Sequence, residues 1–524
     1  MKELVFEELT TRQKLGMVYN VLINGYQRTP ERDEQIKQLI RDHCLGSVWI
    51  QFNTPGADEI MQMVKEVADY PILIITDAEA GMGDDYTIGK HNALSSTGDE
   101  KYAYAFGKAV GVTARKMGYN VVCNPLVDIN DNGSPRYLSP DKKVVARFAA
   151  AEARGMQDAG ILTVGKHYPS AINFNDVDSH MAQSVSVQTK EELLDQCLYA
   201  YCELNKEGLL DGVMTGHIKC EKIDPDRPSS LSKPVLDLFR EQGFDGFMIT
   251  DALCMMAIRS QFTDAESSAL CIEAGNDIAL PYLRDFMGTF EELCKRYEEG
   301  VIPEERLNEA VKRVLAAQHK ANMEPKFTEL TEEEHLLASG VDKAAVYVKT
   351  DDGVSTSISR DGKHLFVLMA RNETEVKGDG KPAVDTFSNG WHYPAKITDQ
   401  IKELFPNSDV KIIHQFPNQG HCYDTLEKAN RCEDTIFLTF SESLAYVGRE
   451  HLTRRAETLI EAVSLNGKLS TLVHFGNPTI LGNLPHIERI IFGGVSEKGV
   501  EASIEVLAGV REATGVPTFE LELK

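Results

Sequence analysis

The sequence predicts an α/β protein: a (β/α)8 TIM barrel followed by a smaller C-terminal α/β sandwich domain. Three observations predict it. Short apolar runs without polar alternation recur through the first 320 residues, and helical patterns separate them, as parallel strands covered on both faces require. A second, shorter series of the same units follows a charged, then Ser/Gly-rich stretch. Polar residues gather at the C-terminal ends of the first series, which all face one mouth in a parallel barrel. Periodicity alone does not distinguish a closed barrel from a doubly wound open sheet, which stays as the alternative.

The chain opens with a helical pattern from Leu9, with Leu15, Val18 and Leu22 at spacings of three and four. PERDEQIKQLIRDHC is a second helix, with Pro30 early and acidic residues in its first turn, where the helix dipole favours them. The strand-like runs are GSVWI (46–50), PILIIT (71–76), NVVCNP (120–125), ILTVGKH (161–167), DGVMTG (211–216), GFMITD (246–251) and DIALP (277–281). Helical patterns lie between them, such as ADEIMQMVKEVADY, KVVARFAAAEARGMQDAG and KEELLDQCLYAYCELNKEG. Seven units and an irregular beginning suit the barrel. The helix around PEERLNEAVKRVLAAQHK, with Pro303 near its start, ends this domain at about residue 320.

Residues 321–361 read as a linker helix followed by an exposed turn. From 362 to 524 the second series is KHLFVLMAR, DVKIIHQF, DTIFLTFS, LSTLVHFG and IERIIFGG, with helices such as RAETLIEAVSLNG between them. FGNP and FGG lack the spacing of a phosphate loop and read as ordinary βα turns.

Composition sets limits on partners. A net charge of −25 repels phosphate polymers and anionic membranes, so neither nucleic acid nor a membrane is expected. No apolar run approaches the ~20 residues of a membrane span. The ten cysteines are scattered singly, several inside apolar runs, as reduced buried thiols would be. The polar, acidic start MKELVFEELTTRQ has no leader pattern, and the expectation is a cytoplasmic protein.

The candidate chemistry lies at the strand ends. PILIIT leads to Asp77 and Glu79, NVVCNP holds Asn124, ILTVGKH ends at Lys166 and His167, DGVMTG precedes His217, and GFMIT precedes Asp251. The loop after Lys166–His167 carries Asp176, Asp178 and His180, two carboxylates and an imidazole within five residues. Asp178 and His180 are two apart, so in an extended segment both leave on one side. A carboxylate on one imidazole nitrogen fixes the tautomer and makes a proton shuttle; a surface His beside an Asp fits the same spacing. Asp251 suits a carboxylate aimed into the mouth and a helix N-cap equally well. His167, Asp176, Asp178, His180 and His217 have no metal-site spacing such as HExxH, and no GxSxG elbow is present, so neither metal nor other cofactor is expected.

With these residues in hand, the chain resembles glycoside hydrolase family 3, in its β-N-acetylhexosaminidase branch. TDAEAG (76–81) resembles the family's D-Q-E-G-G, GKHYP its K-H-F-P, and DVDSH the D-[ST]-H of that branch. The block from Met214 to Ile258 resembles the long segment that ends at the nucleophile; EAGNDIALP and, in the second domain, LVHFGNPTILGNLP also match in kind. The resemblance implies a retaining exo-β-glycosidase acting on terminal β-N-acetylglucosaminides, from peptidoglycan or chitin fragments, as monomer or homodimer. Asp251 would be the nucleophile, His180 the acid/base and Asp178 its partner. Asp77, Arg136 (in SPRYLS), Lys166, His167 and His217 would bind sugar hydroxyls.

The chain also departs from the family pattern. YPSAINFND stands where the branch has F-P-G-H-G-D. MGDD follows Gly81 where R-V-x-R is usual, so two arginines are missing and Asp85 takes the place of one. The departures fall on recognition and leave the machinery. A histidine acid/base removes a negative charge beside the glycosyl-enzyme, which makes inorganic phosphate a rival acceptor to water and a phosphorylase the rival reading. A sugar-binding protein that has lost catalysis is the alternative from another class; it would have no need of Asp251 or the Asp178–His180 dyad.

Overall fold

The computed structural model describes residues 2–129, 133–175, 177–282, 285–370, 394–441, 452–519 and 521. Asp176, singled out above, and Arg371, the end of the run KHLFVLMAR, lie outside them. The chain divides into two compact units. One comprises Met1–Thr87, Lys101–Ile129 and Asp141–Ala338; the other comprises Ile88–Glu100, Asn130–Pro140 and Ser339–Lys524.

The first unit is built on a parallel sheet of β1 (Asn20–Ile23), β2 (Ser47–Ile50), β3 (Leu73–Thr76), β4 (Val121–Val122), β5 (Leu162–Tyr168), β7 (Gly212–Thr215) and β9 (Phe247–Thr250), paired in that order. Every residue of β1, β2, β3, β7 and β9 is buried, so these strands read as continuous apolar runs. Two short strands, β6 (Val185–Ser186) and β8 (Lys219–Cys220), pair in parallel beyond the sheet. They hold the long loop after β5 beside the loop after β7.

One expectation is corrected here. The helical pattern from Leu9 covers only Thr11–Met17, and the apolar run that follows is β1. Leu22 is therefore a strand residue, opposite Trp49. Four consecutive buried residues leave no polar face for a helix, and Asn20 is satisfied across the ladder by Ser47 Oγ at 2.8 Å. The residues around 278 bridge both edges of this sheet. Ile278 pairs with Ile249 and Ala279 with Tyr19, with Thr250 N–H donating to Ile278 O and Asn20 N–H to Ala279 O, each at 3.1 Å. The sheet curls until one short segment touches its first and last strands.

The helices begin where their signals lie. Pro30–Arg41 starts with Pro30 at its first position and Thr29 Oγ1 accepting from Arg32 N–H. Lys142–Asp158 is capped by Asp141, and KEELLDQCLYAYCELNK is a helix widened into a π turn at Leu193–Cys197.

The second unit holds a six-stranded sheet ordered β10 (Tyr347–Thr350), β15 (Arg489–Gly493), β14 (Leu469–Phe475), β13 (Thr435–Phe440), β11 (Leu365–Ala370) and β12 (Asp409–His414). Only β10 runs antiparallel. The strands feed two cores by period-two alternation. Phe366, Leu368, Ile436, Leu438 and Ile491 join one core, with Ile397 and Ile401 from helix Pro394–Leu404; Leu365, Val367, Phe437, Ile490 and Phe492 join the other, with Leu459 and Val463 from helix Arg454–Leu465. The stretch 321–361 contributes helix Glu332–Ala344 and then β10, a strand that the linker reading did not contain.

Candidate active site

The first unit's strand ends bring the expected residues together. Lys166, on β5, is fully buried, with its ammonium bonded to Asp77 and 2.7 Å from Glu79 Oε1. Asp77 follows β3 directly. Next along β5, His167 directs its ring nitrogens to two carboxylates: Nδ1 lies 2.8 Å from Asp128 Oδ2, and Nε2 lies 4.0 Å from Asp251 Oδ2. Gly216, after β7, passes so close that a Cβ there would lie 3.3 Å from His167 Cβ.

Asp251 follows β9, and its N–H continues the ladder to Thr215 O at 2.9 Å. Its Oδ1 accepts from Ala252 N–H at 2.7 Å. No helix starts on it: the next begins at Met256. Burial works to raise the Asp251 carboxyl, but His167, His217, the Ala252 N–H and Lys166 together outweigh it and hold the group below its ordinary value. Burial lowers the His217 imidazole and favours its neutral form. Asp77 is pushed the other way, by burial and by the like charges of Glu79 and Asp251, against the pull of Lys166.

Asp178 and His180 meet through a turn rather than an extended segment. Asp178 Oδ1 accepts from His180 N–H at 2.9 Å and lies 2.7 Å from His180 Nδ1. With Nδ1–H committed to the carboxylate, Nε2 is the nitrogen on the opposite side of the ring. Both side chains are about one quarter exposed, 24% for Asp178 and 26% for His180. Their loop is tied to the segment after Asp251: Ala257 N–H donates to Ser179 O at 3.1 Å and Met256 N–H to His180 O at 3.3 Å. Gln183 adds a bond from Nε2 to His217 O at 2.7 Å. His217 lies in the fields of Asp251, His167 and His180 alike, so the nucleophile candidate and the dyad share one site.

His217 turns both ring nitrogens to protein partners. Nε2–H donates to Ala252 O at 3.1 Å, and Nδ1 accepts from Ser230 Oγ at 2.7 Å. Both nitrogens are occupied inside the protein, so His217 fixes the turn that follows Asp251. Arg136 belongs to the second unit, where its N–H donates to Ser134 Oγ at 3.4 Å. Sequence reasoning missed Asp128 altogether and passed over Glu79 as a site residue. Asp128 stands three residues past Pro125, in what reads as a loop; the available signal was a carboxylate just beyond a strand end.

The site is thus a curled parallel sheet with a carboxylate, a lysine and a carboxylate–imidazole pair beyond its C-terminal ends. The profile of the glycosyl hydrolase family 3 N terminal domain matches residues 10–317, and the chain belongs to that family. A β-N-acetylglucosaminidase/β-glucosidase of Cellulomonas fimi is 27% identical over 331 residues, which are 59% of this chain and 57% of that protein. The chain thus spans little more than half the length of that relative. Among solved structures, a family 3 β-N-acetylglucosaminidase from Paenibacillus sp. str. FPU-7 superposes with a TM-score of 0.79 at 23% identity, over 97% of this chain and 98% of that one. The β-glucoside phosphorylase BglX superposes at 0.80 and 20% identity, over 98% and 94%. At these identities the likeness shows a shared fold.

Proposed function

We propose that this protein is a retaining exo-β-glycosidase that hydrolyses terminal β-N-acetylglucosaminides through a covalent glycosyl-enzyme on Asp251. The observation that carries the reading is the Asp178–His180 bond, on a loop whose backbone is stapled to the segment after Asp251. The names of the Cellulomonas and Paenibacillus proteins support the choice of sugar. In the first step the Asp251 carboxylate attacks the anomeric carbon. The bond to the leaving group breaks, its electron pair stays on the glycosidic oxygen, and that oxygen takes the proton from His180 Nε2. In the second step His180 Nε2 accepts a proton from water, the water oxygen attacks the anomeric carbon, and the Asp251 carboxylate departs. Asp178 keeps the ring oriented throughout. Lys166 and Asp77 are suited to charge-assisted bonds to sugar hydroxyls.

Three coarser expectations join this reading. The bridges at Ile278 and Ala279 support counting the 277–281 segment as the eighth strand of a (β/α)8 barrel. The ten free thiols support a reducing, cytoplasmic setting. Residues 1–320 would carry the chemistry and 362–524 a separate domain.

Nitrophenol release from the β-N-acetylglucosaminide, in phosphate and in a non-phosphate buffer, tests the proposal, with Asp251→Asn as control. Release that is lost in the variant supports it; no release above the variant contradicts it. Phosphate acceleration with sugar 1-phosphate as product would favour the phosphorylase reading, for which an acid/base that bears no negative charge and the Lys166 ammonium speak.

A further inference from the structure

Behind the imidazole that faces the nucleophile candidate sits a carboxylate for which the proposed reaction has no use. Asp128 follows β4, and one of its oxygens, Oδ2, binds His167 twice: it accepts from the backbone N–H at 3.0 Å and lies 2.8 Å from ring Nδ1. A single oxygen that takes both bonds fixes the side chain relative to its own backbone. A carboxylate is only an acceptor, so Nδ1 carries the hydrogen and the opposite nitrogen, Nε2, is the one at 4.0 Å from Asp251 Oδ2. Asp128 is itself largely buried, 13% exposed, and its segment is anchored on β5's side by Ile129 N–H donating to Ser170 Oγ at 2.7 Å and by Val127 N–H donating to Lys166 O at 2.8 Å.

We infer that Asp128 is a positioning residue that acts on Asp251 through His167, holding the imidazole in the one orientation that keeps the nucleophile ionised. The inference rests on the reading of Asp251 as nucleophile. Among the described residues, these charged and titratable groups surround the pair. His167 faces Asp128, Asp251 and His217, with Lys166 beside it in the chain. Asp251 faces His167, His217 and Lys166 as favourable neighbours, and Asp77, Cys254 and Cys123 as the others. Of the favourable ones, Lys166 is already claimed by Asp77 and Glu79, which leaves the orientation of His167 as the adjustable element.

The sign of one pH shift separates this role from simple electrostatics. Asp128→Asn removes a negative charge near Asp251, which by itself makes Asp251 easier to ionise and moves the acid limb of kcat/KM down. An Asn side chain also releases the ring from its fixed orientation; if Asp128 works through His167, that loss dominates and the acid limb moves up, by about one pH unit. Asp128→Glu, which retains an acceptor-only carboxylate, should return the limb part of the way. In a His167→Gln background Asp128→Asn should produce no further upward shift, because the element it acts through is gone. The imidazole 15N and Nδ1–H proton shifts of His167 give a readout that needs no substrate: an Nδ1–H bonded to a carboxylate in the native protein, and that bonded signal lost in Asp128→Asn.

A downward or absent shift in an active, folded Asp128→Asn protein, or an unchanged Nδ1–H signal, overturns the inference. A wild-type protein that releases no sugar would instead sink the nucleophile reading, and the 15N measurement would still decide the role of Asp128.

Discussion

Asp251 is surrounded by groups that decide its charge, and the proposed activity turns on that charge. Its carboxyl is held below the ordinary value, so the nucleophile stays ionised into acid and the acid limb of kcat/KM should lie below the ordinary carboxylate range; a limb above that range would deny that environment. Asp251→Asn should lower kcat by ~10⁴ or more. His180→Asn removes a proton carrier worth roughly 10²–10⁴, with the smaller loss on nitrophenyl leaving groups that need no proton. His217 gives a different signature. With both nitrogens committed to Ser230 and Ala252, His217→Asn should reduce kcat more than it raises KM, because it loosens the turn that carries Asp251. A rise in KM alone, measured on the same substrate, would restore the sugar-binding role. The sequence could not reveal this arrangement: Ser230 and Ala252 lie 13 and 35 residues away, and a histidine after a strand looks the same whether its nitrogens face substrate or protein. Asp178, His180, Lys166 and His167 were legible because they sit within one loop and one strand end, where local spacing carries the information.

The elements explain which parts of the fold the sequence disclosed. Buried parallel strands announce themselves as unbroken apolar runs, and six of the seven strands of the first sheet stood out that way. β1 did not, because Leu15, Val18 and Leu22 happen to continue a helical spacing across the end of Thr11–Met17. β10 was hidden inside a charged stretch, since an antiparallel edge strand needs only one covered face. The second sheet's strands alternate between two cores, so truncation on either face should cost alike: Leu438→Ala is expected to lower stability by about 2–5 kcal/mol, read by denaturant unfolding. Helix Glu332–Ala344 carries a titrating link. Asp342 accepts from Gly89 N–H at 2.9 Å and from the Ser496 hydroxyl, yet burial pushes it up to about 6. The folded chain therefore keeps a proton that the unfolded chain has released between about pH 4 and 6. Stability falls as pH rises through that window, by about 3 kcal/mol in all. Asp342→Asn should flatten this dependence, so that melts of variant and wild type diverge in the variant's favour toward pH 7; parallel melting curves would contradict it.

At the scale of the molecule, two α/β units share the chain, and two short stretches of the N-terminal half, Ile88–Glu100 and Asn130–Pro140, cluster with the C-terminal unit. That exchange was invisible in composition, which changes smoothly through both stretches, and it takes Arg136 with it. What the sequence did disclose at this scale was the division into two series of βα units and the family, because both are written in long runs of residues rather than in contacts. The central claim, a covalent sugar on Asp251, is tested most directly by trapping. Incubation with a 2-fluoro glycoside whose leaving group departs readily, followed by tryptic digestion, isolates Asp251 in the peptide 241–259 and His180 in the peptide 167–190. One fluorosugar mass is expected on 241–259, located to Asp251 by fragmentation and absent from Asp251→Asn. No adduct under conditions where the sugar binds, or an adduct on any other peptide, would contradict it.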